Sequence, residues 1–105
     1  MLWMANKQDV IDHLIYSGAS QYDWYVRLDE EDGKMIVEME DPDDPELTIT
    51  KTVTATQVKE VIKEMTKAQA GGWKTVEMAV KTDDFDSDGA DIVWQWVVFG
   101  ELVYG

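Results

Sequence analysis

Residues 84–89, DFDSDG, hold aspartates at alternate positions and end on a glycine. This is the spacing of half a calcium loop. In an EF-hand, oxygen ligands stand at positions 1, 3, 5, 7, 9 and 12, and glycine at 6 makes the sharp turn, because calcium takes six to eight hard oxygens. Asp84, Asp86 and Asp88 occupy positions 1, 3 and 5, with Gly89 at 6. The second half departs from the pattern: position 12 is Gln95 in place of a bidentate glutamate, and position 8 is Asp91 where an apolar side chain belongs. The loop therefore predicts at most a weak calcium-binding module through Asp84, Asp86 and Asp88, with no resident metal or cofactor.

Other reactive groups are few. His13 is the one histidine and there is no cysteine, so a Cys-His pair and a thiolate zinc site are excluded. Ser17, Ser20 and Ser87 stand in no nucleophile-elbow context. No glycine-rich phosphate loop is present. His13 follows Asp12 on the polar side of a helical stretch and is expected to be a solvated surface residue. The reading is that this chain is not an enzyme.

Charge is the strongest signal. Twenty-two acidic residues face nine basic ones in 105, a formal charge of -13. Such a field disfavours direct binding to nucleic acid or to anionic lipid and favours a basic partner or plain solubility. Between residues 29 and 46 lie Asp29, Glu30, Glu31, Asp32, Glu38, Glu40, Asp41, Asp43, Asp44 and Glu46, interrupted only by Lys34. These residues are the candidate partner-binding set. They are expected to collect on one edge of a hairpin, where regularly spaced negative charge would engage a DNA-binding protein in place of phosphates. An acidic edge that merely keeps a strand soluble is the alternative.

The elements that must position these residues follow from periodicity. Asn6 has N-cap character and Val10, Ile11, Leu14 and Ile15 form one stripe, predicting a helix over 6–17. From residue 22 the period becomes two, with Tyr22, Trp24, Val26 and Leu28 on one face and Asp23, Tyr25 and Arg27 on the other. Asp32-Gly33 turns this strand into a second, whose Met35, Val37 and Met39 share a face. DPDDPE then breaks the sheet, and a third strand starts at Leu47, alternating Leu47, Ile49 and Val53 against threonines.

Thr54 and Gln57 have capping-box spacing, and Val58, Val61, Ile62 and Met65 recur at helical intervals until Gly71. Lys59, Lys63 and Lys67 form a basic stripe on this helix: a solvated face, or a patch that meets the acidic hairpin of a second copy. Residues 73–82 suit either a helix or a strand and are read as a helix. Residues 88–99 are apolar all round, as in a buried strand, yet Asp88 in N-cap position and Gly100 as a stop predict a helix. ELVY is left for a short C-terminal strand. Of the five tryptophans, Trp3 and Trp73 are the ones expected at the surface.

Three stretches, DVIDHLIYSGASQYDW, EDPDDPELTITKTVTATQV and ADIVWQWVVFGELVYG, resemble in order and over most of the length small acidic proteins of actinobacteriophages. That resemblance implies a phage origin and action in the host cytoplasm, and it carries over no site residues. The N-terminal MLWMANKQDV lacks a secretory pattern and no apolar run is long enough to span a membrane. Translation from Met4 in place of Met1 is compatible with the sequence.

The expectation is a single α+β domain over 1–105, a three-stranded antiparallel meander with a short fourth C-terminal strand, packed with two to four helices. Its expected role is that of a non-catalytic phage accessory protein. The expected partner is a host or phage protein, basic or DNA-binding, with a DNA mimic or inhibitor as the form of action. The alternatives are the weak calcium module and a virion or assembly component, the latter as a homo-oligomer.

Overall fold

The computed structural model describes residues 7–104. The Asn6 cap, Trp3 and the choice between Met1 and Met4 lie outside the described residues. The fold is α+β: an antiparallel sheet of order β1-β2-β3 with four helices. The strands are β1 (Tyr25–Glu31), β2 (Lys34–Asp41) and β3 (Asp44–Thr54). Helix α1 (Lys7–Ile15) precedes them, and α2 (Ala55–Lys67), α3 (Trp73–Thr82) and α4 (Ser87–Phe99) follow. Among the described residues no helix is long and apolar enough to cross a membrane.

Alternation along β2 decides which face of the sheet is covered. Met35, Val37 and Met39 are fully buried, while Ile36, Glu38 and Glu40 between them are not. The helices lie on the methionine face. Helix α4 is the hub of this layer, since it touches α2, α3 and two strands. Its Ala90, Val93, Trp94 and Val98 are buried, and the Trp94 indole donates to the Leu14 carbonyl at 3.0 Å, pinning α4 to α1. A largely apolar segment at the centre of a helical layer satisfies its backbone internally as a helix, without strand neighbours.

Helix α2 starts as its sequence requires. The Thr54 hydroxyl accepts from the Gln57 N–H at 3.2 Å and the Gln57 side chain accepts from the Thr54 N–H at 2.8 Å. Gly72, at φ 82°, is a position that only glycine fits, because a Cβ there would stand 2.7 Å from Cγ2 of Ile92 on α4. The backbone at 71–72 thus packs directly on α4, and the Trp96 indole seals the contact by donating to the Gly71 carbonyl at 2.9 Å.

Several expectations change. Helix α1 ends at Ile15, and left-handed Gly18 leads into a 3-10 turn over Ala19–Gln21. Strand β1 begins at Tyr25 and not at Tyr22, and its alternation is broken by a bulge at Val26. Tyr25 pairs with Met39 and Leu28 with Val37, so the inward face passes from Tyr25 to Leu28, while Val26 is 54% exposed.

DPDDPE interrupts the ladder without ending it: the register shifts between Glu40, paired with Thr48, and Asp41, so residues 45–47 have no partner on β2. Asp41 pairs with Asp44 across a turn at Pro42 and Asp43, so β3 already starts before Pro45. The turn is held by carboxylates that fold back on their own backbone: Asp41 Oδ1 accepts from the Asp43 N–H at 2.9 Å, and Asp44 Oδ1 from the Glu46 N–H at 3.1 Å. Pro45 is tolerated because β3 is an edge strand. Trp73 is partly buried against the core. His13 is not solvated: its side chain is 23% exposed, its Nε2 lies 3.2 Å from Asp83 Oδ1, and its ring packs near Phe85.

Candidate binding cleft

The ten acidic residues of the hairpin region do not gather on one edge. The β1–β2 turn, with Asp32 and Gly33 both at positive φ, and the β2–β3 turn at Pro42-Asp43 lie at opposite ends of β2. Eight residues of β2 separate them by roughly 23 Å. Asp29, Glu30, Glu31 and Asp32 stand at one end, Glu40, Asp41, Asp43, Asp44 and Glu46 at the other, and Glu38 between. On the uncovered face, Asp29 and Glu31 share Arg27 at 3.4 and 3.5 Å, and Glu38 accepts from the Thr48 hydroxyl at 2.5 Å. Among the described residues the other eight of the ten make no ion pair.

A cleft of about 410 Å³ opens where the start of β1, the N-terminal part of α4 and the C-terminal segment meet. Three parallel rings form its wall. Trp24 is sandwiched between Tyr22, at 4.8 Å and 7°, and Tyr104, at 4.9 Å and 1°. Asp86, Asp88 and Asp91 line it too, together with Thr75, Ile92 and Leu102.

Asp91 is the buried support of the wall. It is 6% exposed, and its Oδ1 accepts from the Trp24 indole at 2.9 Å and the Tyr25 hydroxyl at 2.8 Å. Its Oδ2 accepts from the Gln95 amide at 2.8 Å. A carboxylate with three donors is the arrangement that makes burial of charge tolerable. Burial, and then the charge of Asp91 and its hydrogen bond, push the Tyr25 phenol far above the ordinary tyrosine value of 10.0. The Tyr22 phenol is also raised, chiefly by its hydrogen bond to Asp88, and the Tyr104 phenol by burial and then by Glu40 and Asp41.

Gln95 completes the arrangement. Fully buried, its Oε1 accepts from the Val103 and Tyr104 N–H groups at 2.9 and 2.7 Å, while its Nε2 donates to the Tyr104 carbonyl at 3.1 Å. The expected C-terminal strand is absent from 101–104 for this reason: a side-chain amide takes the donors that a strand ladder would use. The Tyr104 hydroxyl donates in turn to the Glu40 carbonyl at 2.7 Å, which fixes its ring on Trp24.

The three aspartates of the partial calcium loop are placed as follows. Asp86, and not Asp88, caps α4, accepting from the Gly89 N–H at 2.8 Å. Asp88, in the first turn, accepts from the Tyr22 hydroxyl. Asp84 follows left-handed Asp83 at the end of α3 and lines a separate groove with Asp86. Among the described residues no group of three or more carboxylate or imidazole side chains is placed to hold a metal ion.

Sequence reasoning missed Tyr25, Asp91 and Gln95 as the frame of this cleft. A signal was present: Asp91 and Gln95 are the polar residues of an otherwise apolar stretch, four apart, and polar groups inside a buried helix require partners. Comparison with protein-family models, with curated proteins and with solved structures gave no match, so the chemistry of the cleft rests on its own residues.

Proposed function

We propose that this chain is a non-catalytic phage accessory protein that binds a basic protein of the host or of the phage through its acidic surface, as a DNA mimic or inhibitor in the host cytoplasm. The observation that carries the reading is the placement of the hairpin carboxylates. Eight of the ten make no ion pair with a described residue, and they are held at the ends and on the open face of one sheet. A span of roughly 23 Å equals about seven phosphate steps along one DNA strand. A fixed array of this kind attracts a cationic surface at long range and releases it as salt rises. The non-catalytic part rests on the sequence, with its one histidine and no cysteine.

The test is capture of proteins from actinobacterial cytosol on the immobilised chain, followed by purification of what is bound. The expected result is a basic, DNA-binding protein that is displaced by duplex DNA. Its binding should weaken at least tenfold on the combined changes Asp41→Lys, Asp43→Lys and Asp44→Lys, whose side chains are solvent-facing or nearly so. Undiminished binding by the triple variant would contradict the proposal.

A further inference from the structure

We infer that the lysine-rimmed groove between α2 and α3 is a docking site for the β2–β3 turn of a second copy of this chain; the inference does not depend on the basic-partner reading. Positive charge gathers on these two helices. Residues 55–82 hold five lysines against three glutamates, while the rest of the chain holds four basic residues against nineteen acidic ones. On α2 the two signs are segregated: Lys59, Lys63 and Lys67 follow one another at four-residue intervals, and so do Glu60 and Glu64. Like charges at that spacing weaken a helix, where alternation would strengthen it. None of the three lysines makes an ion pair with a described residue.

Lys59 and Lys63 stand at a groove of about 290 Å³ that Ile62 and Val80 also line. Ile62 is buried and Val80 half-buried, and Glu77 beside them is already paired with Lys81 at 3.3 Å. An apolar floor flanked by two cations asks for an occupant that brings negative charge together with a small apolar surface. The chain carries such a group. At the β2–β3 turn Asp41, Asp43, Asp44 and Glu46 alternate with Pro42 and Pro45, and all of these but Asp41 are fully exposed. The turn is formed before it binds, because Asp41 and Asp44 hold the Asp43 and Glu46 N–H groups, so little ordering opposes docking.

None of residues 41–46 lines the groove of its own copy, so the contact joins two copies. A turn seated in a groove is a heterologous contact, which repeats head to tail. The formal charge of -13 on each copy opposes it at long range, but at about 0.15 M salt charges are screened beyond about 8 Å and the groups in contact dominate. Phosphates of a nucleic acid or a lipid surface would reach the same lysines only by facing the carboxylates of the rest of the chain. A docked turn is withdrawn from any other basic surface, so self-association limits how much of the acidic face is free.

The test is sedimentation of the native chain and three variants between about 0.02 and about 1 mM. The mean mass of the native chain should rise above that of one copy as concentration increases. Lys59→Gln with Lys63→Gln should weaken association about tenfold, and Lys51→Gln on β3, outside the groove, less than about twofold. Asp41→Asn, Asp43→Asn and Asp44→Asn together keep the acceptors that hold the turn and should also weaken association about tenfold. Their direction is decisive, since association without this contact would strengthen as the net charge falls. At a concentration where the groove variant and the turn variant are each single, their equal mixture still offers one intact turn and one intact groove, and should form pairs that stop at two copies. A native chain that stays single throughout, a turn variant that associates as strongly as the native chain, equal losses from the groove variant and Lys51→Gln, or a mixture that does not pair or grows beyond two copies each overturns the inference.

Discussion

The indole nitrogen of Trp24 donates to Oδ1 of Asp91 at 2.9 Å, across 67 residues of sequence. This contact joins the entry to β1 with the first half of α4 and fixes the middle ring of the aromatic wall. Asp91→Ala removes the acceptor of Trp24, Tyr25 and Gln95 at once, leaving the Trp24 and Tyr25 donors unpaired and Gln95 with only its bond to the Tyr104 carbonyl, in a partly or fully buried setting. Urea unfolding of this variant should show a loss of about 3 kcal/mol. A loss below about 1 kcal/mol would mean that the network does not hold the fold together.

Alkaline pH attacks the same network. The neutral Tyr25 phenol is favoured in the folded state because burial and Asp91 both oppose its ionisation. Its folded value lies above the unfolded one, so its contribution is complete below the unfolded value of 10.0 and is lost as pH rises beyond it. Stability followed between about pH 8 and 12 should fall on the alkaline side, and less steeply in Tyr25→Phe than in the native chain. Identical alkaline slopes for the two proteins would contradict this assignment.

Gln95 is the clasp of the C-terminal segment. Gln95→Leu keeps much of the side-chain volume and removes the acceptor for the Val103 and Tyr104 amides. Hydrogen exchange at these two amides should lose its protection, and near-ultraviolet circular dichroism should report loosening of the Trp24–Tyr104 stack. Retained protection would show that the segment is held by other contacts.

Calcium should have little specific effect. Asp86 is engaged as a helix cap and Asp88 with Tyr22, and residue 95 offers the chain an amide, not a bidentate carboxylate. A melting temperature that does not move at micromolar calcium is the expected outcome. A marked rise at that concentration would restore the calcium reading of residues 84–89.

How much of this was legible in the sequence varies with the range of the interaction. Thr54 with Gln57, Asp32-Gly33 and the methionine alternation of β2 are local signals, and each appears where it was read. The α4 cap lies two residues before the expected one, because Asp86 and Asp88 are both competent caps and the Gly89 N–H donates to Asp86 while Asp88 is taken by the Tyr22 hydroxyl. The bulge at Val26 was not legible, since it inserts one residue into an intact polar-apolar alternation and turns Tyr25 inward. The single acidic edge failed for a topological reason: consecutive turns of a meander lie at opposite ends of the sheet. The cleft joins residues 22–24, 86–91 and 102–104, and no local pattern reports such a meeting.

Binding of a basic partner through negative charge is tested most directly by the salt dependence of affinity for the purified partner. Affinity should fall steeply between about 50 and about 200 mM salt, with a shallower slope for the Asp41→Lys, Asp43→Lys, Asp44→Lys variant. An affinity that is the same at both salt concentrations, or a slope unchanged by the triple substitution, would contradict it.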